Sequence, residues 1–331
     1  MGGMTPAEKT ARVRELATAA GFVRTGVAKA EPLQRAEYFR EWLARGCAGS
    51  MDYLARWQNL RVDPRLLLDG ARSVIVVAWQ DEFLAGRMSI PGPAGDEPCG
   101  RVARYAWGRD YHRTVRRRLH VLADLLHEAI PEPFETRVCV DTAPIIEREV
   151  AAAAGVGWIG KNDMVIDSQL GSMFMLGEVI TTLELEPTPP AKDRCGTCRR
   201  CLQACPTGAL TAPYQMDASR CISYLTIEHQ HEISEDLSRR MGNWVFGCDV
   251  CQEVCPYNRK SARPSPAHAD QPNPLIPSPR LTDLISLSED RYRRLLAGRA
   301  MRRATLDMLK RNALIALANH RCERGGRDAT E

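Results

Sequence analysis

Eight of the twelve cysteines lie between Cys195 and Cys255, at the spacing of thiolates that hold iron–sulfur clusters. The first run reads CxxCxxCxxxCP, in which two-residue gaps let a tight turn present three thiolates to the corners of one 4Fe–4S cube. The second run reads CxxCxxxCP and lacks a first cysteine, which Cys221 can supply from upstream. The pattern predicts two 4Fe–4S clusters, and therefore a protein that moves electrons one at a time.

The proline-flanked cysteine that ends each run points away from its own cube toward the neighbouring cluster, as in bacterial ferredoxins. If Cys205 and Cys255 each bind the cluster of the other run, all eight cysteines are used. One predicted cluster is then held by Cys195, Cys198, Cys201 and Cys255, and the other by Cys205, Cys221, Cys248 and Cys251. Two structural zinc sites would also use four thiolates each, but zinc ribbons carry paired CxxC knuckles in place of this run. The other cysteines are interpreted as ordinary thiols: Cys47, Cys99, Cys139 and Cys322.

The sequence before this module alternates between helical and extended patterns. Residues 6–20, 32–45 and 111–129 have helical patterns, whereas residues 73–79 form a β-branched run typical of a strand buried on both faces. A short strand over 137–141 ends in Asp141, and we expect Thr142 and Pro144 to open the next helix, which stops at Gly155. A strand-like pattern returns over 173–185. The alternation predicts an α/β fold.

Proline-rich segments divide the sequence into three predicted parts. A stiff linker over 186–190 ends an α/β domain of residues 1–186, and a ferredoxin-like domain with both clusters occupies residues 187–260. Residues 261–331 are expected to form a Pro-rich linker and a short basic helical tail. Apolar residues fall at helical spacing in that tail: Leu306, Leu309, Ala313, Leu314 and Leu317.

Composition limits the class and the compartment. The net charge of +4 over 331 residues is too small to indicate nucleic acid by itself, but residues 259–331 carry fifteen Lys and Arg against eight Asp and Glu. This excess suggests a polyanionic partner or a solvated helical face. No apolar run is long enough for a bilayer, and the N-terminus has neither a secretory nor a twin-arginine leader pattern. Twelve cysteines without disulfides suit a reducing compartment, so we expect a cytoplasmic protein without a membrane partner.

Several further motifs occur in order over residues 10 to 260. They are NLRVDP from Asn59, GARSVI from Gly70, RYAWGRDYH from Arg104, VDTAP from Val140, GWIGKN from Gly157 and CISYLTIE from Cys221. Together with the cysteine module they resemble the epoxyqueuosine reductases, cobalamin- and 4Fe–4S-dependent enzymes of tRNA queuosine biosynthesis. The resemblance implies an N-terminal α/β domain, nitroreductase-like in outline, that holds cobalamin beside one cluster.

The activity that this resemblance implies is reduction of epoxyqueuosine to queuosine at the wobble position of tRNA. Electrons pass through the clusters to cobalt, and reduced cobalt attacks or reduces the epoxide. Loss of water then leaves an alkene, with consumption of two electrons and two protons. No histidine lies in a recognisable cobalt-binding motif, which fits a corrin without a protein axial ligand.

The resemblance also assigns residues to the site. Asp141 is the predicted proton donor, and its position at the end of a strand suits a ligand contact. A carboxylic acid serves this purpose at neutral pH only if burial raises its pKa, and a corrin face could supply that burial. Asp141 could instead only cap the following helix. Predicted cofactor contacts are Arg61, Arg104, Tyr105, Asp141, Lys161 and Ser223, although Arg104 could be a surface ion pair and Tyr105 a core aromatic.

The expected partner is tRNA, bound at its anticodon loop. Two basic runs could contact phosphates, or could be solvated helix faces. The first is Arg113, Arg116, Arg117 and Arg118, and the second is Arg291, Arg293, Arg294, Arg299, Arg302, Arg303, Lys310 and Arg311. Longer family members continue into a HEAT-like helical module, so the tail is interpreted as a remnant of one.

We also expect an external electron donor such as flavodoxin or ferredoxin, and a monomeric protein. Two rival functions remain open at this stage. One is a cytoplasmic cobalamin and iron–sulfur reductase of a small molecule, similar to reductive dehalogenases, although these commonly carry an export leader and a different proton donor. The other is a ferredoxin-like electron carrier, which would not need an α/β domain of this size.

Overall fold

The computed structural model describes residues 3–85, 97–259 and 278–328. The strands are β1 (Arg24–Lys29), β2 (Ser73–Trp79), β3 (Arg101–Val102), β4 (Thr136–Cys139), β5 (Trp158–Ile159), β6 (Val165–Ile166), β7 (Met175–Thr181), β8 (Leu210–Ala212), β9 (Gln215–Met216) and β10 (Trp244–Phe246). The helices of the first part are α1 (Pro6–Ala19), α2 (Ala36–Ala44), α3 (Asp52–Arg56), α4 (Gln58–Val62), α5 (Tyr111–Ala129) and α6 (Glu147–Ala153). Those that follow are α7 (Arg200–Ala204), α8 (Ile222–Ile227), α9 (Glu235–Arg240), α10 (Val250–Glu253), α11 (Pro256–Arg259), α12 (Leu281–Ile285), α13 (Glu289–Leu295) and α14 (Leu306–Asp328).

The first part is built on a sheet with the order β1-β2-β7-β4, in which all neighbours are antiparallel. Every residue of β2 is buried, as its β-branched run predicts. Helices α1 and α5 pack on one face through a core that includes Val13 and Leu119, and α6 packs on the other through Val150. In β7, Gly177 leaves room for α5, since a Cβ there would lie 2.8 Å from Leu119 Cδ1.

The helix that we expected to open at Thr142 and Pro144 begins later, at Glu147. A turn at residue 142 and bends over 143–145 stand in its place. The reason is local: Asp141 has a φ of +42°, and its backbone N–H donates to the Glu147 side chain, so the chain bends before the helix starts. Asp141 is therefore not the N-cap of α6, a position that Ile146 occupies without a side-chain hydrogen bond. The expected helical stop at Gly155 is present, with a φ of +71°.

The cysteine-rich segment is joined to the first part by a parallel pair of strands, β3 and β10. The C-terminal helices pack on this junction, where a shared core contains Val102, Phe246 and Leu309. Asn312 is completely buried, and its Nδ2 atom donates to the carbonyl oxygens of Thr226 and Val245 at 3.0 Å each. The tail is thus an integral part of the packing.

Of the expected apolar positions in the tail, Leu309 and Ala313 are fully buried, whereas Leu314 is 53% exposed. The predicted linker over 261–279 lies almost wholly outside the described residues. Within those residues, no helix combines the length and the apolar character that a bilayer span requires.

Candidate active site and cluster sites

The eight cysteines come together in two groups of four. In the first group, burial raises the pKa of Cys201 and of Cys255, and the nearby thiols of Cys195 and Cys198 add to both shifts. Mutual effects of this kind require the thiols to lie close together. Cys255, from the end of the second run, therefore lies near Cys195 and Cys198 of the first run, and the partition of the cysteines between two clusters stays a prediction.

The second group forms around Cys248 and Cys251. Burial raises the pKa of each thiol, and Cys221 and Cys205 reinforce both shifts. Backbone N–H groups also point at the sulfur atoms, including those of Ser223 and Tyr224 at Cys221. Thiols packed this closely make free thiolates costly, and a bound cation removes that cost. N–H groups directed at sulfur are a recognised way of tuning cluster potentials.

The Asp141 carboxylate lies at the end of β4, where it meets the start of α5. Its Oδ2 atom is 2.8 Å from His112 Nε2, and the other ring nitrogen, Nδ1, is 2.6 Å from Asp110 Oδ1. Burial opposes the charge on His112, but the hydrogen bonds to Asp110 and Asp141 outweigh it and raise the pKa of this imidazole to about 9. His112 is therefore an imidazolium at neutral pH, held between two carboxylates, and neither nitrogen is free to ligate a metal.

Two glutamates lie behind Asp141. Glu147 accepts the Asp141 backbone N–H, and Glu178, on β7, is completely buried. Burial and the charge of Asp141 raise the pKa of Glu147 to about 7, and burial and Glu147 raise that of Glu178 well above its ordinary value.

Sequence reasoning did not assign His112, Glu147 or Glu178 to the site. The sequence contained one signal, since Glu178 is an acidic residue in the middle of an otherwise apolar strand.

Arg61 and Tyr105 lie near enough to Asp141 to be affected by its charge. Arg61 is only 8% exposed, and the charges of Asp141 and Glu147 oppose the lowering of its pKa by burial. Its Nε atom is buried without a hydrogen-bond partner among the described residues. Burial raises the pKa of Tyr105, with Asp141 as the next contributor. Tyr105 also packs against Phe246, with ring centroids 6.1 Å apart.

The other predicted contacts are placed closer to the cluster sites. Arg104 donates its backbone N–H to Asp249 Oδ2 at 2.8 Å, which fixes it beside Cys248. Lys161 donates its Nζ to the carbonyl oxygen of Cys198 at 3.1 Å and to that of Gly196. The Lys161 ammonium is thus engaged by the loop of the first cysteine group. Ser223 follows Cys221 by two residues and directs its N–H at that sulfur.

The basic runs are divided between surface and interior. On α5, Arg113, Arg116 and Arg117 are exposed, whereas Arg118 turns inward and donates to the carbonyl of Ala20 at 2.8 Å. In the tail, three arginines are held by the protein itself. Arg299 donates to the carbonyls of Trp107 and Gly108, Arg303 to the Glu228 carboxylate, and Arg311 to the carbonyls of Leu225, His229 and His231. These three guanidinium groups stabilise the docked tail.

Neighbouring cysteines beside an α/β domain that carries the hydrogen-bonded series Asp110–His112–Asp141 are typical of an iron–sulfur oxidoreductase. Comparison with known proteins agrees. The 4Fe–4S double cluster binding domain family matches residues 194–258, and the family described as Epoxyqueuosine reductase QueG, DUF1730 matches residues 61–142.

An epoxyqueuosine reductase of Xanthomonas campestris is 39% identical over 325 residues, which cover 95% of this chain and 88% of that protein. The crystal structure of an epoxyqueuosine reductase with an epoxyqueuosine-modified tRNA-Tyr stem loop has a TM-score of 0.81 at 31% identity, covering 93% of this chain and 80% of the other. A structure from Bacillus subtilis, in which the catalytic aspartate loop is swung out of the active site, has a TM-score of 0.78 at 30% identity and covers 93% and 81%. The chain belongs to the epoxyqueuosine reductase family.

It is accordingly an enzyme whose cofactors are two 4Fe–4S clusters and cobalamin. The residues near Asp141 fit a corrin. A corrin is ringed by amide side chains that accept hydrogen bonds, and the buried Arg61 Nε is a donor without a partner among the described residues. Arg61 is the residue that we would place on a corrin amide, with Tyr105 and Ser223 as further donors.

Proposed function

We propose that this chain reduces epoxyqueuosine to queuosine at the wobble position of tRNA. The observation that carries the proposal is the hydrogen-bonded series Asp110–His112–Asp141 at the end of β4, near Arg61, whose buried Nε atom has no hydrogen-bond partner among the described residues. The solved relative with an epoxyqueuosine-modified stem loop supports the choice of substrate. The relatives described above, at 30–39% identity, are epoxyqueuosine reductases. They favour this activity over the two rival functions, a reductase of small molecules and a plain electron carrier.

The reaction removes the epoxide oxygen as water and leaves an alkene, so it consumes two electrons and two protons. Bound cobalamin supplies the electrons at the substrate carbon. The Asp141 side chain is 50% exposed, and not buried as expected from the sequence, and it is the carboxylate partner of the protonated His112. The proton that Asp141 passes to the departing oxygen therefore comes from His112 through their hydrogen bond. The second proton, which completes the water molecule, comes from solvent, to which the Asp141 side chain is exposed. Asp110 holds the imidazole in place and balances its charge.

Clusters held by the eight cysteines would relay electrons to this site. We assign one cluster to Cys195, Cys198, Cys201 and Cys255, and the other to Cys205, Cys221, Cys248 and Cys251. The second group is linked to the α/β part through Arg104 and Asp249, so we infer that it is the cluster that faces cobalamin. The first group then receives electrons from an external donor such as flavodoxin or ferredoxin. We further infer a monomer that acts in the cytoplasm, where its tRNA substrate is found.

The substrate is a single nucleotide within an RNA loop, so the rest of the loop needs a binding surface. We infer that phosphates of the anticodon loop contact Arg113, Arg116 and Arg117, which are exposed on α5. Arg116 lies next to the Asp141 loop, with its Nη2 atom 3.5 Å from Thr142 Oγ1. Extrusion of the wobble nucleotide toward Asp141 then places the epoxide at the acid.

The proposal is tested with enzyme that is purified anaerobically and loaded with iron–sulfur clusters and cobalamin. Incubation of the reduced enzyme with tRNA that carries epoxyqueuosine should yield queuosine, detected by mass spectrometry of the digested nucleosides as loss of one oxygen atom. A parallel incubation with a small aryl halide should release no halide. Dehalogenation without conversion of the tRNA nucleoside would contradict the proposal.

A further inference from the structure

A pair of carboxyl groups is buried between the Asp141 loop and the main sheet. Glu178 lies in the middle of β7 and is 0% exposed, and the group that its carboxyl faces is the side chain of Glu147 at the start of α6. Among the described residues, no N–H or hydroxyl donor reaches either oxygen atom of Glu178. A buried carboxyl without any donor is costly, and the feature therefore needs a physical explanation.

A single proton shared by the carboxyl groups of Glu147 and Glu178 explains this feature. Two adjoining buried carboxyl groups cannot both be ionised, and a single proton turns the pair into one donor and one acceptor. Glu178 is the more deeply buried member and keeps the proton, since burial and Glu147 raise its pKa well above the ordinary value. Glu147, with a pKa raised to about 7 by burial and by Asp141, is the member that ionises first. Glu178 therefore donates and Glu147 accepts.

Glu147, held by its hydrogen bond with Glu178, in turn contacts the Asp141 loop. Its Oε1 atom accepts the backbone N–H of Asp141, a residue with a φ of +42°. An aspartate in the left-handed region is strained and persists only where the surroundings hold it. In the Bacillus subtilis relative the catalytic aspartate loop is swung out of the active site, so the corresponding loop of that protein has more than one position.

We propose that Glu147 and Glu178 are positioning residues that hold the Asp141 loop in the arrangement where its carboxylate meets His112. Glu178 orients Glu147, and Glu147 fixes the backbone of Asp141, while His112 fixes the side chain. The catalytic consequence rests on the proposed function, but the positioning itself does not. The pair acts through Asp141 and contacts no substrate atom.

Hydrogen exchange tests the positioning without any turnover. In the cluster-loaded enzyme, a peptide that covers residues 140–146 should exchange more rapidly in Glu147→Ala, by about ten- to hundredfold at the Asp141 amide, because the acceptor is lost. Glu147→Gln keeps an oxygen acceptor and should retain most of the protection. Glu149→Gln is the matched control, since Glu149 lies on the same helix, pairs with Arg35 at 3.2 Å and does not touch Asp141.

Unchanged exchange in Glu147→Ala, with iron content and melting temperature retained, would overturn the proposal. If the alanine variant does not fold, Glu147→Met fills a similar volume without an oxygen acceptor and should give the same increase. Glu178→Gln provides a second test, of the direction of the hydrogen bond between Glu178 and Glu147. A glutamine amide donates to Glu147 as the protonated acid does, so this variant should exchange like the wild type, and a loss of protection equal to that of Glu147→Ala would contradict the assigned direction of the hydrogen bond.

Single-turnover kinetics with prereduced enzyme then distinguish positioning from general stability. Glu147→Ala should lower the rate constant of the chemical step by about ten- to hundredfold at saturating tRNA, with the Kd for tRNA unchanged within about twofold. Glu147→Gln should restore most of the rate. Failure of the wild type to convert epoxyqueuosine would defeat the proposed function alone, because the exchange experiment still reports on the loop. A wild-type rate in Glu147→Ala would defeat the catalytic consequence of positioning.

Discussion

Asp141 makes two separate contacts, and they fix different parts of the residue. His112 holds its carboxylate, and Glu147 holds its backbone in a left-handed conformation. A substitution that keeps the size and the hydrogen-bonding oxygen can therefore remove the transferable proton without releasing the loop. Residue-scale experiments should use such isosteric changes.

Asp141→Asn should lose most of the turnover while it retains both clusters, cobalamin and tRNA binding. The amide can accept the hydrogen bond from His112, but it cannot deliver a proton to the departing oxygen. Loss of a positioned general acid costs about two to four orders of magnitude in rate. Single-turnover assays with prereduced enzyme measure this directly, since they bypass electron delivery. Near-normal turnover would remove Asp141 from the mechanism.

His112 should make the stability depend on pH in a defined window. Its pKa is raised from 6.5 to about 9, so the folded protein binds the proton more tightly than the unfolded chain. The stabilisation is complete below pH 6.5 and is lost as the pH rises through about 9. The melting temperature of the wild type should therefore exceed that of His112→Asn most clearly below pH 6.5, and the difference should shrink above pH 9. A difference that grows with pH would refute the ion-paired imidazolium.

At this scale, the sequence contained part of the site. The cysteine grouping is predicted from spacing along the chain and Asp141 from a motif, and both assignments stay predictions. The partners of Asp141 could not be predicted, because the histidine on α5 and the glutamate at the start of α6 meet it only in the folded chain. The glutamate on β7 faces Glu147 and also reaches it only through tertiary packing. The buried acid pair also contradicts simple hydropathy, which places carboxylates at the surface.

Helices and strands were predicted correctly where one sequence pattern was strong. The bounds of α5 and the burial of β2 follow from helical periodicity and from β-branched residues. The start of α6 was predicted wrongly, because Thr142 and Pro144 resemble a helix opening. The contact between Asp141 and Glu147 overrides that local preference, and it depends on a conformation at Asp141 that no propensity indicates.

The segment that leads into α8 carries a prediction about the clusters. Cys221 is the cysteine that stands apart from both CP-terminated runs, and it meets Cys205 in the folded protein. Cys221→Ala should damage one cluster and spare the other, lowering the iron content from about eight atoms per chain toward four. Cys322→Ala is the control, since that thiol is exposed and lies outside both groups. Unchanged iron content and spectra in Cys221→Ala would show that our partition of the ligands is wrong.

At the scale of the whole molecule, the tail differs most from its sequence-based description. Its basic composition suggested a surface for RNA, yet Arg299, Arg303 and Arg311 are directed at protein acceptors. Composition gives the number of charges but not the groups that they contact. The sequence therefore could not predict which arginines of the tail bind protein acceptors and which are exposed to solvent. The exposed basic surface next to Asp141 is the outer face of α5.

Neutralising Arg113, Arg116 and Arg117 together should weaken tRNA binding and flatten its salt dependence. Each lost phosphate contact lowers the slope of log K against log salt by about 0.7 for single strands, so the three together should lower it by about two units. Arg239→Gln with Arg240→Gln is the matched control, because these arginines are paired with Glu235 and Asp236 on α9. A slope that is the same in the triple variant and the control would exclude α5 from the RNA surface.

The parallel pairing of β3 with β10 has a consequence for how the holoprotein is made. On the ribosome, β3 and the sheet that carries Asp141 are synthesised long before β10 emerges. β10 lies just ahead of Cys248, so this cysteine takes its place only when β10 docks on a finished β3. We expect the second cluster to be loaded only after the catalytic half has folded, because its Cys248 site is incomplete until β10 docks.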